Sequence, residues 1–151
     1  MSETNSVLQR MQQISNYLAE EGFRPEIVED TSLKLKYEGR LFWVDIDDDD
    51  ETFYRIVCAN YWNIESPEEL SWALLAANVS SRSYKFAKTY VNKANDNVWT
   101  ALDYFTKDLE AFLPSLPRMI SIVKDSSDEF RKSMWDQKRE AEAETKNVTI
   151  N

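Results

Sequence analysis

Apolar residues at Val7, Met11, Ile14 and Leu18 recur at 4-3-4 spacing and so share one stripe of a helix over about residues 6–21. Gly22 supplies a left-handed residue to end it, Phe23 is placed for the hydrophobic contact of a C-terminal cap, and Pro25 blocks continuation. Then the period changes from 3.6 to 2. Leu33, Leu35 and Tyr37 alternate with Lys34, Lys36 and Glu38, which reads as a strand with one wet face. Glu38-Gly39 is a short turn into Arg40-Leu-Phe-Trp-Val-Asp-Ile46, apolar on both faces and therefore more central. The run Phe53 to Trp62 has the same two-sided character.

Ser66-Pro67-Glu68-Glu69 is a helix start, with Ser66 as N-cap, Pro67 at N1 and Glu69 closing a capping box; the helix is expected to reach about Val79. Two strands are expected at Tyr84–Asn92 and Val98–Tyr104, joined by a polar turn. Leu109, Phe112, Leu113, Leu116, Ile120, Val123, Phe130 and Met134 hold one helical phase, which Pro114 and Pro117 should kink or split near its start. From about residue 137 the apolar stripe ends, and residues 137–151 are expected to be a frayed or disordered charged tail. The order α-β-β-β-α-β-β-α, with strands in adjacent hairpins, predicts an α+β fold: an antiparallel sheet covered by helices, as one domain over 1–136.

Composition narrows the chemistry by what is missing. The 151 residues contain no His, one Cys and two Gly. That removes imidazole acid–base catalysis, Ser-His-Asp and Cys-His nucleophiles, imidazole metal sites and multi-cysteine metal sites. Two isolated glycines cannot build a phosphate-cradling glycine loop. Together these point away from an enzyme and from any cofactor. The net charge is −9, with residues 1–50 carrying 5 basic and 12 acidic side chains. No basic stripe is present, so binding to nucleic acid or an anionic membrane is not expected. The longest apolar run, Trp72 to Ala77, is six residues, far from the ~20 of a membrane span. With a lone Cys58 mid-strand and no leader-like N-terminus, a soluble cytoplasmic protein is expected, and the sequons at Asn78 and Asn147 are incidental.

Few side chains are candidates for function. The connector Asp45-Ile-Asp-Asp-Asp-Asp-Glu51 suggests a hard divalent cation, with Asp45, Asp47 and Asp49 at positions 1, 3 and 5 of a calcium loop. The loop then needs Gly where Asp50 stands and Glu where Ile56 stands, so the match fails, and a solvated hairpin turn is the plainer reading. Cys58 lacks any group to lower its pKa and reads as a buried structural thiol. The second helix carries two apolar stripes, one of Leu70, Ala73, Leu74 and Ala77 and one of Trp72, Leu75, Ala76 and Val79. A helix apolar on both sides needs two covers. One face can pack on the sheet and the other needs either the long C-terminal helix or a second copy; we expect a homodimer through Trp72, Leu75, Ala76 and Val79. Tyr61, Trp62 and Trp99, at strand ends, are candidates for contact with a partner protein.

The stretches Tyr17-Leu-Ala-Glu-Glu-Gly-Phe23, Leu33-Lys-Leu-Lys-Tyr-Glu-Gly39, Phe53-Tyr-Arg-Ile-Val57, Leu74-Leu-Ala-Ala-Asn78 and Phe86-Ala-Lys-Thr-Tyr-Val91 resemble the YbjN family, the bacterial sensory transduction regulators, over about residues 6–135. Asn97-Val-Trp-Thr-Ala101 is similar to a cyanobacterial branch of that group. Ser80-Ser-Arg82 departs from the pattern where relatives often carry a second Asn. The resemblance implies the fold of type III secretion chaperones, which are small, acidic, and dimerise through the helix in mid-chain. It also implies a non-enzymatic, chaperone-like or regulatory domain that binds an unknown protein partner through apolar contacts. It brings no catalytic or ligand residues. The alternative is a small-molecule or divalent-ion sensor working through residues 45–51.

Overall fold

The computed structural model describes residues 3–150, with side chains from 6 to 147. The chain runs α1 (Glu3–Glu20), β1 (Glu26–Glu29), β2 (Ser32–Tyr37), β3 (Arg40–Ile46), β4 (Phe53–Cys58), α2 (Pro67–Ser83), β5 (Ala87–Val91), β6 (Val98–Phe105), α3 (Leu109–Phe112), a 3-10 turn at Leu113–Ser115, and α4 (Leu116–Ile150). Six strands form one sheet in the order β1-β2-β3-β4-β6-β5, and every neighbouring pair is antiparallel. The α+β class and the antiparallel sheet are as the sequence predicts.

Local chemistry accounts for most boundaries. The end of α1 is a Schellman cap: Gly22 stands at φ 95°, and the Phe23 N–H reaches back 2.9 Å to the Leu18 carbonyl. Glu38 and Gly39, at φ 48° and 77°, make the two-residue primed turn whose twist suits a tight hairpin. Ser66 caps α2, its hydroxyl accepting from the Glu69 N–H at 3.1 Å. The two prolines do split the C-terminal helical region: α3 gives way to a 3-10 turn before α4 begins.

Several boundaries differ from expectation: β4 stops at Cys58 rather than Trp62, and β5 spans Ala87–Val91 rather than Tyr84–Asn92. Strand β1 is absent from the sequence reading because all four of its residues are exposed, so it carries no alternation. It is an edge strand, pairing only with β2 through an interrupted register. Helix α2 runs to Ser83, four residues further than expected. Residues 137–147, expected to fray, instead continue α4, which ends at Ile150. Good helix formers fill this segment, Arg139 pairs back to Asp136 at 3.6 Å, and Gln137 Nε2 donates to the Trp72 carbonyl at 3.0 Å.

All helices lie on one face of the sheet. The main core joins Met11, Ile14 and Leu18 of α1 and Phe112, Leu116 and Ile120 of the C-terminal region to Leu33, Phe42, Val44, Ile56 and Leu102. Tyr54 stacks on Phe112 with centroids 3.9 Å apart. A second cluster holds α2 against α4 through Ala73, Ala76, Ala77, Phe130 and Met134. The alternate strand positions, including Trp43, Arg55, Val57, Trp99, Ala101 and Asp103, point the other way, into a face that no helix among the described residues covers.

Candidate functional site

The uncovered sheet face is the one surface where strand pairing concentrates aromatic, charged and small residues without a partner layer. Register places Trp43 beside Val57 and Val57 beside Ala101, with Asp45, Arg55 and Asp103 forming the next row. Arg55 grips Asp103 through Nε at 2.5 Å and Nη2 at 3.3 Å, and Lys88 Nζ joins at 2.9 Å. Burial raises the Asp103 pKa, but the hydrogen bonds from Arg55 and Lys88 outweigh it and hold the carboxyl below its ordinary value. At one end Phe53 and Phe105 meet across β4 and β6 with centroids 5.2 Å apart.

At the other end the face forms a hollow of about 520 Å³, lined by Val28, Glu29, Ser32, Trp43, Asp45, Val57, Ala59, Asn60 and Trp99, among others. Its floor is small because it is made by Val57 of β4 and by Ala59 just beyond that strand's end. Its sides are high because β3 and β6 contribute indoles. Trp99 is fixed: its Nε1 donates to Asn60 Oδ1 at 2.8 Å, and its ring stacks on Tyr90. Asn60 makes that bond from a left-handed backbone, φ 50°. Asp45 accepts from the Ser32 hydroxyl at 2.6 Å.

The sequence candidates separate. Trp99 belongs to this hollow. Tyr61 and Trp62 do not. Tyr61 turns its hydroxyl inward, 2.8 Å from Thr100 Oγ1, and burial pushes that phenol well above its usual range. Trp62, half-buried, packs edge-on against Phe130 and Trp135 and donates its Nε1 to Glu69 at 2.7 Å. Trp72 is also half-buried and lines a groove of about 410 Å³ with Glu68, Lys138, Ala141, Glu142, Thr145 and Lys146. Trp43, which no sequence signal singled out, is the second wall of the hollow. Its place beside a small residue on an uncovered face depends on strand neighbours far apart in the chain.

On α2 the two expected stripes are both out of phase with the true buried face. That face is Ala73, Ala76, Ala77 and Ser80, combining small residues from each stripe. The reason is steric: α4 brings Phe130 and Met134 against α2, and close helix approach needs small residues opposite. Ala76 is therefore interior and is corrected from the dimer-contact set. Val79 is half-buried, whereas Leu74 and Leu75 are 55% and 54% exposed.

The acidic connector differs from the expected cation set. Asp45 is on β3 in the hollow, and it is Asp47, Asp48 and Asp49 whose carboxylate oxygens lie within 4.8 Å of one another. The connector is largely bonded to itself: Asp47 accepts from the Asp49 N–H, and Asp50 accepts from the Thr52 N–H and hydroxyl, which lowers the Asp50 pKa. Beneath it Arg10, buried on α1, donates to the Asp47 carbonyl at 2.8 Å. Cys58 is buried, and burial pushes its thiol up to about 11.

No family model matches the chain, and no curated protein matches it in sequence. Solved structures do. An uncharacterized protein from Methanothermobacter thermautotrophicus is 13% identical with a TM-score of 0.59, covering 85% of this chain and 98% of that one. YbjN from E. coli is 13% identical with a TM-score of 0.49, covering 87% and 93%. A chain of the heterodimeric ExoU–SpcU complex from the type III secretion system of Pseudomonas aeruginosa is 18% identical with a TM-score of 0.47, covering 77% and 96%. At these identities the likeness is one of fold. No helix among the described residues is long and apolar enough to cross a membrane.

Proposed function

We propose that this chain is a non-enzymatic, protein-binding domain of the YbjN type, chaperone-like or regulatory, that holds an extended segment of a partner on the open face of its sheet. One observation carries the reading. A six-stranded sheet leaves one whole face without helical cover among the described residues, with Trp43, Trp99 and Tyr90 about a hollow at one end and Phe53 and Phe105 at the other. Exposed aromatic surface rimmed by polar groups is a recurrent mark of protein contact, and a strand-like segment matches the spacing of strand side chains. The absence of His from the sequence and the inert Cys58 support a binding role over catalysis.

The test is a selection of displayed random peptides on the full-length chain, followed by mapping of selected peptides through backbone amide shifts. Shifts confined to β3, β4 and β6 support the reading. Peptides that map to the helical face, or no selected peptide at all, overturn it.

A second reading concerns assembly. Leu74 and Leu75 are side by side and more than half exposed on α2, while Trp72 and Val79 are half-buried beside them. We infer a homodimer in which this face of α2 meets its copy, as the mid-chain helix does in the fold that the sequence resembles. The two surfaces are on opposite sides of the sheet, so self-association and partner docking are compatible.

A further inference from the structure

The docking reading above is the basis for a more specific one: we propose that the hollow between Trp43 and Trp99 is a pocket for one cationic side chain, lysine or arginine, of the partner's extended segment.

The geometry comes first. Trp43 on β3 and Trp99 on β6 flank β4, so the strands carrying them are two spacings apart, about 10 Å. Between them the floor is Val57 and Ala59. That leaves a slot with indole walls and an aliphatic base, suited to a long methylene stem that ends in a cation. Trp99 cannot swing away, since Asn60 holds its N–H and Tyr90 backs its ring. Indole is the aromatic system that attracts a cation most strongly, and the attraction rises when water is excluded.

Charge decides the sign. Glu29 and Asp45 line the hollow, and no lysine or arginine does. The two cations nearest in the sheet are committed elsewhere: Lys34 pairs with Glu26 at 3.5 Å, and Arg55 pairs with Asp103. Among the described residues neither Glu29 nor Asp45 makes an ion pair; Asp45 accepts from the Ser32 hydroxyl and feels Arg55 across the strand, whose guanidinium is itself bonded to Asp103. An anionic guest would meet the unpaired Glu29 and the Asp45 carboxylate on a chain of net charge −9. A metal ion is not the match either, because the carboxylates of Glu29 and Asp45 do not converge with a third ligand group.

The probe is an acetylated, amidated heptapeptide of alternating serine and valine with lysine at its centre, together with its arginine, norleucine and glutamate counterparts. Each is titrated into the full chain, followed by tryptophan fluorescence and the indole and backbone amide shifts. Lysine and arginine peptides are expected to bind at least about tenfold more tightly than norleucine, with shifts at Trp43, Trp99 and Asn60 and weakening at higher salt. Glutamate should not bind. Asp45→Asn combined with Glu29→Gln should cut the lysine-over-norleucine preference several-fold at an unchanged melting temperature, leaving the part owed to the indoles. Asp45→Asn alone, which keeps an acceptor for Ser32, should reduce it. Equal binding of lysine and norleucine with open-face shifts overturns the cation pocket and leaves the docking reading standing. No open-face shift with the lysine peptide at millimolar concentration also overturns the pocket. The unbiased peptide selection, which does not depend on lysine, then decides the docking reading separately.

Discussion

The Ser80 hydroxyl on α2 donates to the Ser126 carbonyl on α4 at 2.7 Å, in a region where both residues are fully buried. The Ser126 hydroxyl lies 2.7 Å from Ser80 Oγ, and the chain of contacts continues through Thr89 and Thr100 to Tyr61. Five hydroxyls from α2, β5, β6, α4 and the segment before α2 thus satisfy one another inside an otherwise apolar interface. Such a network fixes the register of α2 on α4, because a one-residue slip would leave buried polar groups unpaired.

Ser80→Ala should therefore cost more than the loss of one small side chain. It removes one partner each from Thr89 and Ser126, which keep Thr100 and each other, and a destabilisation of about 0.5–1.5 kcal/mol is expected in urea unfolding. A change below a few tenths would show that the network does not hold α2 in place.

Cys58 should resist alkylation in the folded chain at pH 8 and react readily in denaturant. Its folded pKa lies above the unfolded one, so the stability it contributes is complete below about pH 9 and declines as pH rises toward about 11. Cys58→Ala should flatten that part of the pH–stability curve. Rapid labelling of native protein would contradict the buried placement.

Asp103 works in the opposite direction. Its folded pKa is lowered, so its contribution is present above the ordinary carboxyl value of 3.8 and lost as pH falls below it. The difference in urea midpoint between wild type and Asp103→Asn should be clear at pH 6 and shrink by pH 3. A difference independent of pH would mean that Arg55 and Lys88 do not stabilise the charged form.

Light scattering at micromolar concentration should give twice the 17.7 kDa chain mass, and Leu75→Glu should return it to one. Leu75 is exposed, so the variant should keep the wild-type circular dichroism. A wild-type monomer would remove the dimer reading.

Calcium or magnesium titration should give no heat and no melting shift, since the connector's Asp47 and Asp50 are bonded locally and buried Arg10 sits below it. A rise of several degrees that disappears in Asp47→Asn with Asp49→Asn would support the ion-sensing alternative instead.

How much was legible in the sequence depended on the range of the interaction involved. The caps at Gly22 and Ser66, the turn at Glu38-Gly39 and the proline break before α4 are decided within a few residues, and each formed where expected. The two-sided apolar character of β3 and β4 likewise placed them in the middle of the sheet. Strand β1 was hidden because an exposed edge strand needs only a neighbour's free backbone, and its side chains record nothing of it. The phase of α2 was misread because which of its apolar residues are interior depends on the bulk of Phe130 and Met134, more than fifty positions away. The missing histidine and scarce glycine removed imidazole and glycine-loop chemistry from the sequence alone. Which surface binds was decided only in three dimensions. Trp43, Val57, Ala59 and Trp99 become one hollow through the pairing β3-β4-β6, and that pairing brings residue 99 across a whole helix and strand to face residue 59.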